Sequence, residues 1–486
     1  MTAVVPQTPV KRLFINNEWV EATGGRTFED VNPATGEVLA HIAEATTEDV
    51  DRAVRAARRA FDEGPWRTMP AVERSALLRQ VGELILKHKD ELIRLESQDN
   101  GKPVRESGTL DVPRSASNFI FFAEYLTKVT NECVPVDNKF LHYETRDPVG
   151  VAALITPWNF PMLLGTWKIG PCLAAGNTCV IKPASVTPLT TLALGDIVAE
   201  AGLPEGVFNV ITGPGSTVGT ALVSHPGVDL VSFTGETTTG QAIVAAAGPG
   251  LKRVSFELGG KAPNLIFKSA NLDEAVAGSM RSAFFNQGEV CLATPRFYVE
   301  ESIYDAFLDK FVAAARALKI GDPLDPATEM GPLVSQSHYD RVMAYIEQGR
   351  AEGAHLLIGG QRPPGLDRGY FLEPTIFTNV DNQMVICREE IFGPVATIQP
   401  VKTEEEAVQL ANDTPYGLDA TIWTNDLRQA HRVAAKLVVG TVWVNCWFVR
   451  DLRVPFGGAK ASGIGREGGK YSWDFYTEPK NVCIAL

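Results

Sequence analysis

The chain has 486 residues, of which 45 % are hydrophobic and 21 % charged, and its formal net charge is −13. This length predicts about two to four domains, each able to bury a core of its own. The negative charge and the lack of a long basic run disfavour a nucleic-acid or membrane partner. Seven cysteines and seven histidines are scattered along the sequence. We therefore expect free thiols in a reducing, cytoplasmic compartment and no metal site.

Residues 149–181 form a long apolar segment in which Lys168 is the only charged side chain. Prolines and glycines interrupt the segment throughout, whereas a membrane helix needs about 20 continuous apolar residues. We therefore predict buried strand, loop and helix here rather than a membrane span.

The predicted elements start with a turn at 32–36 and a helical first third. Thr46 and Asp49 resemble a capping pair ahead of apolar residues at helical spacing. Short β-branched runs then alternate with helical stretches, at 149–156, 178–182, 207–212, 230–234 and 253–257. Such alternation predicts a parallel sheet covered on both faces by helices, a setting in which nucleotides bind at strand ends.

A second α/β domain is predicted beyond residue 257. Its expected helices are 275–285, 303–318 and 340–352, and its expected strands are 371–377, 395–400 and 440–445. Residues 474–486 alternate enough to form an edge strand, which is a natural pairing site between subunits.

Three side chains are candidates for chemistry. Cys291 could act as a thiolate nucleophile, Glu257 ends a predicted strand where active-site groups gather, and Asn159 could stabilise an oxyanion from an apolar loop. Each also has an ordinary alternative. Taken alone, these residues could be a buried core thiol, a surface carboxylate at a turn and an asparagine that satisfies loop backbone.

The segment from Phe233 to Gly240 follows a predicted strand and opens a predicted helix. Backbone N–H groups at such a helix start favour a phosphate. The spacing is not that of the G-x-G-x-x-G fingerprint, and the chain has no Walker A sequence. The segment alone therefore only suggests phosphate binding.

Together the motifs resemble those of the aldehyde dehydrogenase superfamily, over nearly the whole chain from Asn32. Cys291 follows Glu257 by 34 residues, as in that family. The matching motifs are Thr156-Pro157-Trp158-Asn159-Phe160-Pro161, Lys182-Pro183, Gly202-Leu203-Pro204, Phe233-Thr234-Gly235, Glu257-Leu258-Gly259-Gly260-Lys261, Gly288 to Cys291, Glu389-Glu390-Ile391-Phe392-Gly393-Pro394, Asn412-Asp413 and Pro455-Phe456-Gly457-Gly458.

The resemblance implies an α/β architecture with three parts. A Rossmann-type NAD(P)-binding domain would comprise 1–125 and 148–257, and an α/β catalytic domain would comprise 258–458. Segments 126–147 and 459–486 would provide oligomerisation strands of a homodimer or homotetramer.

By the same resemblance, the reaction is NAD(P)-dependent oxidation of an aldehyde to a carboxylic acid. Cys291 would attack the aldehyde, while Asn159 and the Cys291 backbone N–H hold the oxyanion. After hydride transfer, Glu257 would activate water to hydrolyse the thioester. Relatives that transfer the acyl group to coenzyme A lack this glutamate, so its presence favours a free acid as product.

The resemblance also implies a set of NAD-binding residues. These are Ile155, Thr156, Pro157, Trp158, Lys182, Ser185, Gly215, Phe233, Thr234, Gly235, Glu236, Leu258, Glu390 and Phe392. Ser185 stands where many NAD-specific members carry a ribose-binding glutamate, and the missing charge would allow NADP. Glu236 stands where many members place a serine near the pyrophosphate, so we expect its carboxylate to point away from that group.

The sequence is most similar to semialdehyde dehydrogenases of aromatic ring cleavage, such as those for 2-hydroxymuconate, 2-aminomuconate and 5-carboxymethyl-2-hydroxymuconate semialdehydes. The similarity rests on segments 111–124, 235–237, 445–453 and 462–469. It implies that Arg114 and Arg453 hold the substrate's remote carboxylate, as an arginine fork can. Salt bridges are the alternative role for both, and Arg450 is interpreted as structural. The other predicted substrate contacts are Phe160, Leu164 and Phe456.

Two competing functions remain open at this point. A broad-specificity or betaine-aldehyde-like dehydrogenase would prefer neutral or aromatic pockets. A non-catalytic structural relative would be favoured by loss of Cys291, Glu257 or Asn159, and the sequence retains all three.

Overall fold

The computed structural model describes residues 8–486. Its strands are β1 (Val10–Lys11), β2 (Leu13–Ile15), β3 (Glu18–Val20), β4 (Thr27–Val31), β5 (Val38–Ala43), β6 (Cys133–Val136), β7 (Phe140–Pro148), β8 (Val151–Ile155), β9 (Thr178–Lys182), β10 (Phe208–Val210), β11 (Leu230–Thr234), β12 (Arg253–Glu257), β13 (Pro263–Ile266), β14 (Arg296–Glu300), β15 (His355–Ile358), β16 (Thr375–Thr378), β17 (Val395–Val401), β18 (Asp419–Trp423), β19 (Thr441–Val444), β20 (Gly463–Ile464) and β21 (Thr477–Ala485).

The α-helices are α1 (Thr47–Asp62), α2 (Ala71–Lys87), α3 (Lys89–Asn100), α4 (Val104–Glu106), α5 (Val112–Tyr125), α6 (Pro161–Ala174), α7 (Leu189–Glu200), α8 (Thr220–Ser224), α9 (Thr237–Ala247), α10 (Leu272–Phe284), α11 (Tyr304–Ala317), α12 (Gln336–Ala351), α13 (Val385–Arg388), α14 (Glu404–Asn412), α15 (Leu427–Ala434) and α16 (Gly469–Tyr476). Short π-helical turns occupy Ser107–Asp111 and Gly215–Gly219.

Helix α1 begins as the sequence predicts. The Thr46 side chain accepts a hydrogen bond from the Asp49 backbone, and the Asp49 carboxylate accepts one from the Thr46 backbone, which completes a capping box. The apolar face of the helix, which includes Val50, Ala53 and Phe61, is buried.

An eight-stranded sheet has the order β20-β12-β11-β8-β9-β10-β2-β3, and β8 to β12 run parallel. The predicted strands 178–182, 230–234 and 253–257 match β9, β11 and β12 at both ends. The strand predicted at 149–156 is observed as β8, which begins two residues later, at Val151. The strand predicted at 207–212 is observed only over Phe208–Val210.

The order of these parallel strands places a crevice between β8 and β11. From β8 the chain winds outward through β9 and β10 on one side, then returns to β11 and β12 on the other. At such a point of reversal, the loops that leave the strand ends diverge and open a binding crevice. The loops after β8 and β11 carry Asn159 and the segment from Gly235, and Glu257 is the last residue of β12.

A seven-stranded sheet has the order β15-β16-β17-β14-β13-β18-β19, and only β15 is antiparallel to its neighbour. The predicted strand 371–377 is wrong at its start, because β16 begins at Thr375. Pro374 immediately precedes that residue and has no N–H to donate to a ladder. Helix α12 begins four residues before its predicted start, since the Ser335 side chain caps the His338 N–H.

The hairpin of β6 and β7 pairs with the C-terminal strand β21 in a separate three-stranded sheet. β21 lies at one edge and pairs with β7 from Thr477 opposite Pro148 to Ala485 opposite Phe140. The predicted edge strand is thus confirmed over Thr477–Ala485, while residues 474–476 end helix α16 instead. A second small sheet has the order β1-β5-β4.

The apolar segment 149–181 forms β8, α6 and β9, all of them buried, as predicted. Over residues 8–486, no helix combines the length and the apolar character needed to cross a membrane.

Candidate active site

Two cavities meet at Cys291. The first, which we call the cleft, lies at the crevice beside β8 and β11 and is lined by Pro157, Trp158, Asn159, Thr234, Gly235, Glu236, Leu258, Gly259, Cys291, His338, Arg341, Glu390 and Phe392. The second, which we call the arginine pocket, has a volume of about 310 Å³ and a largely apolar wall. It is lined by Leu110, Arg114, Phe160, Leu163, Leu164, Trp167, Thr234, Glu257, Val290, Cys291, Leu292, Phe448, Val449, Arg450, Phe456 and Glu467.

Most residues predicted to bind the dinucleotide line the cleft. Ile155, Thr156 and Phe233 do not, since they are buried behind it at the ends of β8 and β11. The predicted adenosine-side residues Lys182 and Ser185 also lie outside the cleft lining. Lys182 is the last residue of β9, and Ser185 lies three residues further along the chain.

Ser185 and Gly215 belong to neighbouring loops. The Ser185 hydroxyl donates to the Gly213 carbonyl at 2.9 Å, and Gly215 begins the π-helical turn two residues later. The Lys182 ammonium is buried and donates to the Pro183 carbonyl at 2.9 Å. Burial lowers the pKa of Lys182 to about 8.

Helix α9 opens on the cleft and can receive an anion. Glu236 occupies its N-cap without a side-chain cap bond, so the first backbone N–H groups stay available. The buried Thr234 hydroxyl beside it has no hydrogen-bond partner among the described residues. The Glu236 carboxylate is half exposed and lies 3.5 Å from the Arg341 guanidinium, which offsets its charge. These features fit a bound pyrophosphate.

Glu390 is fixed against the glycine pair that follows Glu257. Its carboxylate accepts a hydrogen bond from the Gly260 N–H at 2.9 Å. A Cβ atom on Gly259 would lie 2.2 Å from a Glu390 oxygen, so a larger residue there would displace the carboxylate. Burial raises the pKa of Glu390 to about 7.

His338 is a cleft residue that the sequence analysis missed. Its Nε2 lies 2.7 Å from the Phe392 carbonyl, and its ring packs edge-on against Trp158 at 4.9 Å between centroids. Burial lowers the pKa of His338 to about 4, so the ring is neutral at physiological pH and donates its proton to that carbonyl. A single histidine in the first turn of a helix gives no indication in the sequence that it contacts Phe392 and Trp158.

The loop before Cys291 has an unusual backbone. Asn286, Gln287 and Gly288 all have positive φ, at 47°, 56° and 74°. A Cβ atom on Gly288 would lie 2.4 Å from the Gly393 carbonyl, so glycine is required there. Burial raises the pKa of the Cys291 thiol above its ordinary value, and the Glu257 carboxylate adds to the shift. The resting Cys291 side chain is therefore a thiol.

Asn159 reaches the same loop from the opposite side. Its side-chain nitrogen is buried and donates to the Glu289 carbonyl at 2.9 Å, two residues before Cys291. One amide hydrogen makes this bond, and the second has no acceptor among the described residues.

Glu257 ends β12 inside the arginine pocket. Its Oε2 is buried without a hydrogen-bond partner among residues 8–486. Burial raises the pKa of Glu257 to about 8, and the nearby Glu467 carboxylate contributes. A carboxyl group with this pKa is suited to accept a proton near neutral pH.

A buried ion pair lies behind Glu257. Lys168 donates to the Glu467 carboxylate at 2.8 Å and to the Ser232 hydroxyl at 3.0 Å. Glu467 also accepts the indole N–H of Trp167. Lys168 was noted in the sequence only as the single charge of an apolar segment, and Glu467 was not singled out.

The predicted substrate contacts lie in the arginine pocket with one exception. Arg114, Phe160, Leu164 and Phe456 line it. Arg453 does not line it: its side chain is 78 % exposed and is held by both Asp451 carboxylate oxygens, at 2.9 and 2.7 Å, which is the salt bridge given as the alternative role.

Arg450, which the sequence analysis interpreted as structural, lines the arginine pocket instead. Its guanidinium packs over the rings of Phe456 and Trp167. Within residues 8–486, neither Arg450 nor Arg114 has a carboxylate oxygen within 4.0 Å, and the Arg114 Nη2 is buried without a hydrogen-bond partner. Burial lowers the pKa of both groups, to about 10 for Arg450, so both remain cations at neutral pH.

Over the described part of the chain, no three His, Cys, Asp or Glu side chains are arranged to hold a metal ion. The site therefore consists of a thiol, an amide donor, a carboxyl group of raised pKa, an anion-accepting helix start and two unpaired guanidinium groups. This set can form and hydrolyse a thioester beside a bound dinucleotide.

Comparison with known proteins agrees with that chemistry. The model of the aldehyde dehydrogenase family matches residues 19–482. The chain is 49 % identical over 481 residues to 2-hydroxymuconic semialdehyde dehydrogenase of Pseudomonas sp. (strain CF600), covering 97 % of this chain and 99 % of that protein. It is 46 % identical over 463 residues to 2-aminomuconic semialdehyde dehydrogenase of Bos taurus, covering 94 % and 95 %.

Among solved structures, the NAD+ complex of an aldehyde dehydrogenase from Bacillus cereus matches with a TM-score of 0.96 and 44 % identity, covering 98 % of this chain and 96 % of that one. The chain belongs to the aldehyde dehydrogenase family and is an oxidoreductase of that family.

Proposed function

We propose that this enzyme uses NAD to oxidise a carboxylated semialdehyde of the 2-hydroxymuconate type to the free acid, through a thioester on Cys291. The single observation that carries the substrate class is the pair of unpaired guanidinium groups, Arg114 and Arg450, in a largely apolar pocket that ends at the Cys291 thiol. The two semialdehyde dehydrogenases reported above support it.

The Cys291 thiol releases its proton to a water molecule as its sulfur bonds to the aldehyde carbon, and the carbonyl electron pair moves onto the oxygen. The tetrahedral oxygen that forms takes hydrogen bonds from the Asn159 amide and the Cys291 backbone N–H. Donors aimed at such an oxyanion are worth roughly 10²–10³ in rate. Asn159 lies close enough to the Cys291 loop to serve, since its amide already bonds that loop at Glu289.

The oxidation needs a hydride acceptor, and NAD bound in the cleft would supply it. The cleft residues that would hold it are the open start of helix α9 for the pyrophosphate and Glu390 for the ribose next to the nicotinamide. Trp158 and Phe392 pack edge-on at 5.1 Å between ring centroids and wall the cleft. The NAD+ complex of the Bacillus cereus relative supports this choice of cofactor.

Hydrolysis of the thioester falls to Glu257. Once ionised, its carboxylate can take a proton from a water molecule that attacks the acyl carbon, and the Cys291 sulfur leaves as the acid forms. General-base assistance is worth roughly 10²–10⁴ in rate. The other carboxylate that lines the arginine pocket, Glu467, is not a candidate for the base, because it is already paired with Lys168.

A betaine-aldehyde or other aminoaldehyde substrate is disfavoured by the same pocket. Two guanidinium cations in an apolar wall would repel a cationic substrate and attract an anionic one, and weak screening at such a site strengthens both effects. A neutral aldehyde would gain nothing from either group.

The test is reduction of NAD followed by absorbance with purified enzyme and three substrates: 2-hydroxymuconate semialdehyde, a neutral aliphatic aldehyde and betaine aldehyde. We expect kcat/KM to favour the anionic substrate by more than about tenfold, or about 1.4 kcal/mol of transition-state binding. A flat profile or a preference for betaine aldehyde would overturn the substrate. The Cys291→Ala variant should produce no reduced cofactor with any of the three, and retained turnover would overturn the thioester.

Three finer proposals accompany this function. Ser185 leaves the adenosine end without a carboxylate, so NADP is accepted as a weaker alternative to NAD. The edge strand β21 supports assembly as a homodimer or homotetramer. All seven cysteines are unpaired, which supports a reducing, cytoplasmic setting.

A further inference from the structure

Two hydrogen bonds join the Asn159 loop to the loop that carries Cys291, and a third, within the Cys291 loop, closes them into a ring. The Asn159 side chain donates to the Glu289 carbonyl at 2.9 Å. The Asn286 side chain donates to the Asn159 carbonyl at 2.9 Å and to the Glu289 carbonyl at 3.3 Å. Both amide hydrogens of Asn286 are therefore used, one on each loop.

The ring fixes a geometry on which the proposed oxyanion site depends. Its two donors come from loops that are far apart in sequence, one after β8 and one before β14. They must lie about 2.7–3.1 Å from a single oxygen position. An amide nitrogen carries two hydrogens in one plane. Holding one hydrogen of Asn159 on the Glu289 carbonyl therefore aims the other.

Asn286 is itself held rigidly. It is fully buried, and its backbone N–H donates to the Glu106 carboxylate at 3.1 Å. Its φ of 47° is a left-handed value that asparagine and glycine tolerate better than most residues. The side chain thus sits at the one point where it can reach both carbonyls.

A second support holds the Asn159 loop from the helical side. The buried Lys102 ammonium donates to the Asn159 carbonyl at 2.8 Å and to the Asp111 carboxylate at 2.6 Å, and it lies 4.1 Å from the centre of the Phe160 ring. The Asn159 carbonyl thus accepts two hydrogen bonds, from Lys102 and from Asn286. Of the two, only Asn286 belongs to the Cys291 loop and also donates to the Glu289 carbonyl.

We propose that Asn286 is a positioning residue that sets the separation of the two oxyanion donors by bridging the Asn159 carbonyl and the Glu289 carbonyl. This inference rests on the proposed thioester mechanism and on the oxyanion role of Asn159. Asn286 does not touch the substrate; it acts through Asn159.

Two variants remove the bridging donor without straining the backbone. Asn286→Asp keeps the size and the tolerance of positive φ but has no N–H, and Asn286→Gly removes the side chain where glycine accepts φ of 47°. Asn159→Ala and the double variant Asn159→Ala/Asn286→Gly complete a cycle. In such a cycle, residues that act as one unit give non-additive losses.

Two readouts separate positioning from loss of structure. Hydrolysis of 4-nitrophenyl acetate acylates the thiol through a tetrahedral oxyanion without any cofactor, so it should respond to the oxyanion site. Alkylation of Cys291 by iodoacetamide passes through no such oxyanion, and it should stay within about threefold in every variant of the cycle. Misplacement of a catalytic group by 1 Å costs on the order of 10²-fold.

We expect both Asn286 variants to lose about 10²-fold in kcat/KM for the ester and for the aldehyde. The double variant should be no worse than Asn159→Ala alone. Additive losses in the double variant, or Asn286 variants with ordinary ester hydrolysis, would overturn the positioning role. Loss of thiol alkylation in parallel with ester hydrolysis would assign Asn286 to the loop fold instead and also overturn it. If Asn159→Ala itself keeps full activity, the oxyanion assignment under the proposed function is what fails.

Discussion

The guanidinium carbon of Arg450 lies 3.3 Å from the centre of the Phe456 ring, and the Trp167 ring lies 4.6 Å away. A cation over aromatic faces is stabilised without a carboxylate partner. The N–H edge of Arg450 therefore remains free for an anion that enters the arginine pocket. Arg114 adds a second free cation on another wall, which lowers the pKa of Arg450 further.

The first prediction compares two arginines of the same loop. Arg450→Met should raise KM for 2-hydroxymuconate semialdehyde by roughly 10–100-fold, the effect of losing a charged hydrogen bond worth about 1.5–3 kcal/mol. KM for a neutral aldehyde of similar length should change less than about threefold. Steady-state kinetics with both substrates measures the difference.

Arg453→Met is the matched control for that comparison. Arg453 is exposed and held by Asp451, so its loss should leave both KM values nearly unchanged. If Arg453→Met instead has the larger effect on the anionic substrate, the loop must turn during binding, and Arg453 rather than Arg450 is the carboxylate ligand.

The second prediction concerns hydrolysis of the thioester. Glu257→Gln keeps the size of the side chain but removes the base, so acylation and hydride transfer should proceed while deacylation stalls. Rapid mixing should show a burst of about one reduced cofactor per site, followed by a steady rate roughly 10²–10⁴-fold below that of the wild type. An unchanged steady rate would exclude Glu257 as the base.

The third prediction is the pH dependence of the same step. Burial and Glu467 raise the pKa of Glu257 to about 8, and only the ionised form can accept a proton. Where deacylation limits turnover, kcat should therefore rise about tenfold per pH unit below that value and level off above it. Removal of the Glu467 charge in Glu467→Gln should move the midpoint to lower pH. A midpoint that stays in place would show that Glu467 does not act on the base.

The fourth prediction addresses cofactor choice. Ser185→Glu places a carboxylate at the end of β9, where it would repel the 2′-phosphate of NADP and accept a ribose hydroxyl of NAD. The ratio of kcat/KM for NAD to that for NADP should rise by more than about tenfold, or about 1.4 kcal/mol. Ser185→Gln has the same shape without the charge and should shift the ratio much less. Equal shifts in both variants would point to size rather than charge.

Burial explains which parts of the fold the sequence could predict. Strands β9 and β11 were predicted to the residue because they are fully buried short runs rich in apolar and β-branched residues, and β12 is buried over its last three residues. The strand at 371–377 was predicted too early because buried Phe371 and Leu372 mimic a strand while lying in a loop. A hydrophobic pattern in the sequence indicates which residues are buried. At Phe371 and Leu372 the residues are buried but the backbone is not a strand, so the pattern misled the prediction.

Only part of the site was predictable from the sequence, because a sequence pattern does not report backbone turns. Cys291, Glu257 and Asn159 stand in motifs, and the structure brings them around one point. Which arginine of the 445–453 loop enters the pocket depends on backbone turns at Asn445 and Phe448, whose φ values are 53° and 62°. Alternation of side chains along an extended segment cannot anticipate such turns.

The two cavities share only Thr234 and Cys291 among their lining residues. The thiol therefore lies on the boundary between the cleft and the arginine pocket. A dinucleotide in the cleft and an acid in the arginine pocket would occupy separate spaces on its two sides, so neither would displace the other. Inhibition patterns should accordingly show each product competing with its own precursor, and a molecule long enough to occupy both sides would have to pass directly over the sulfur.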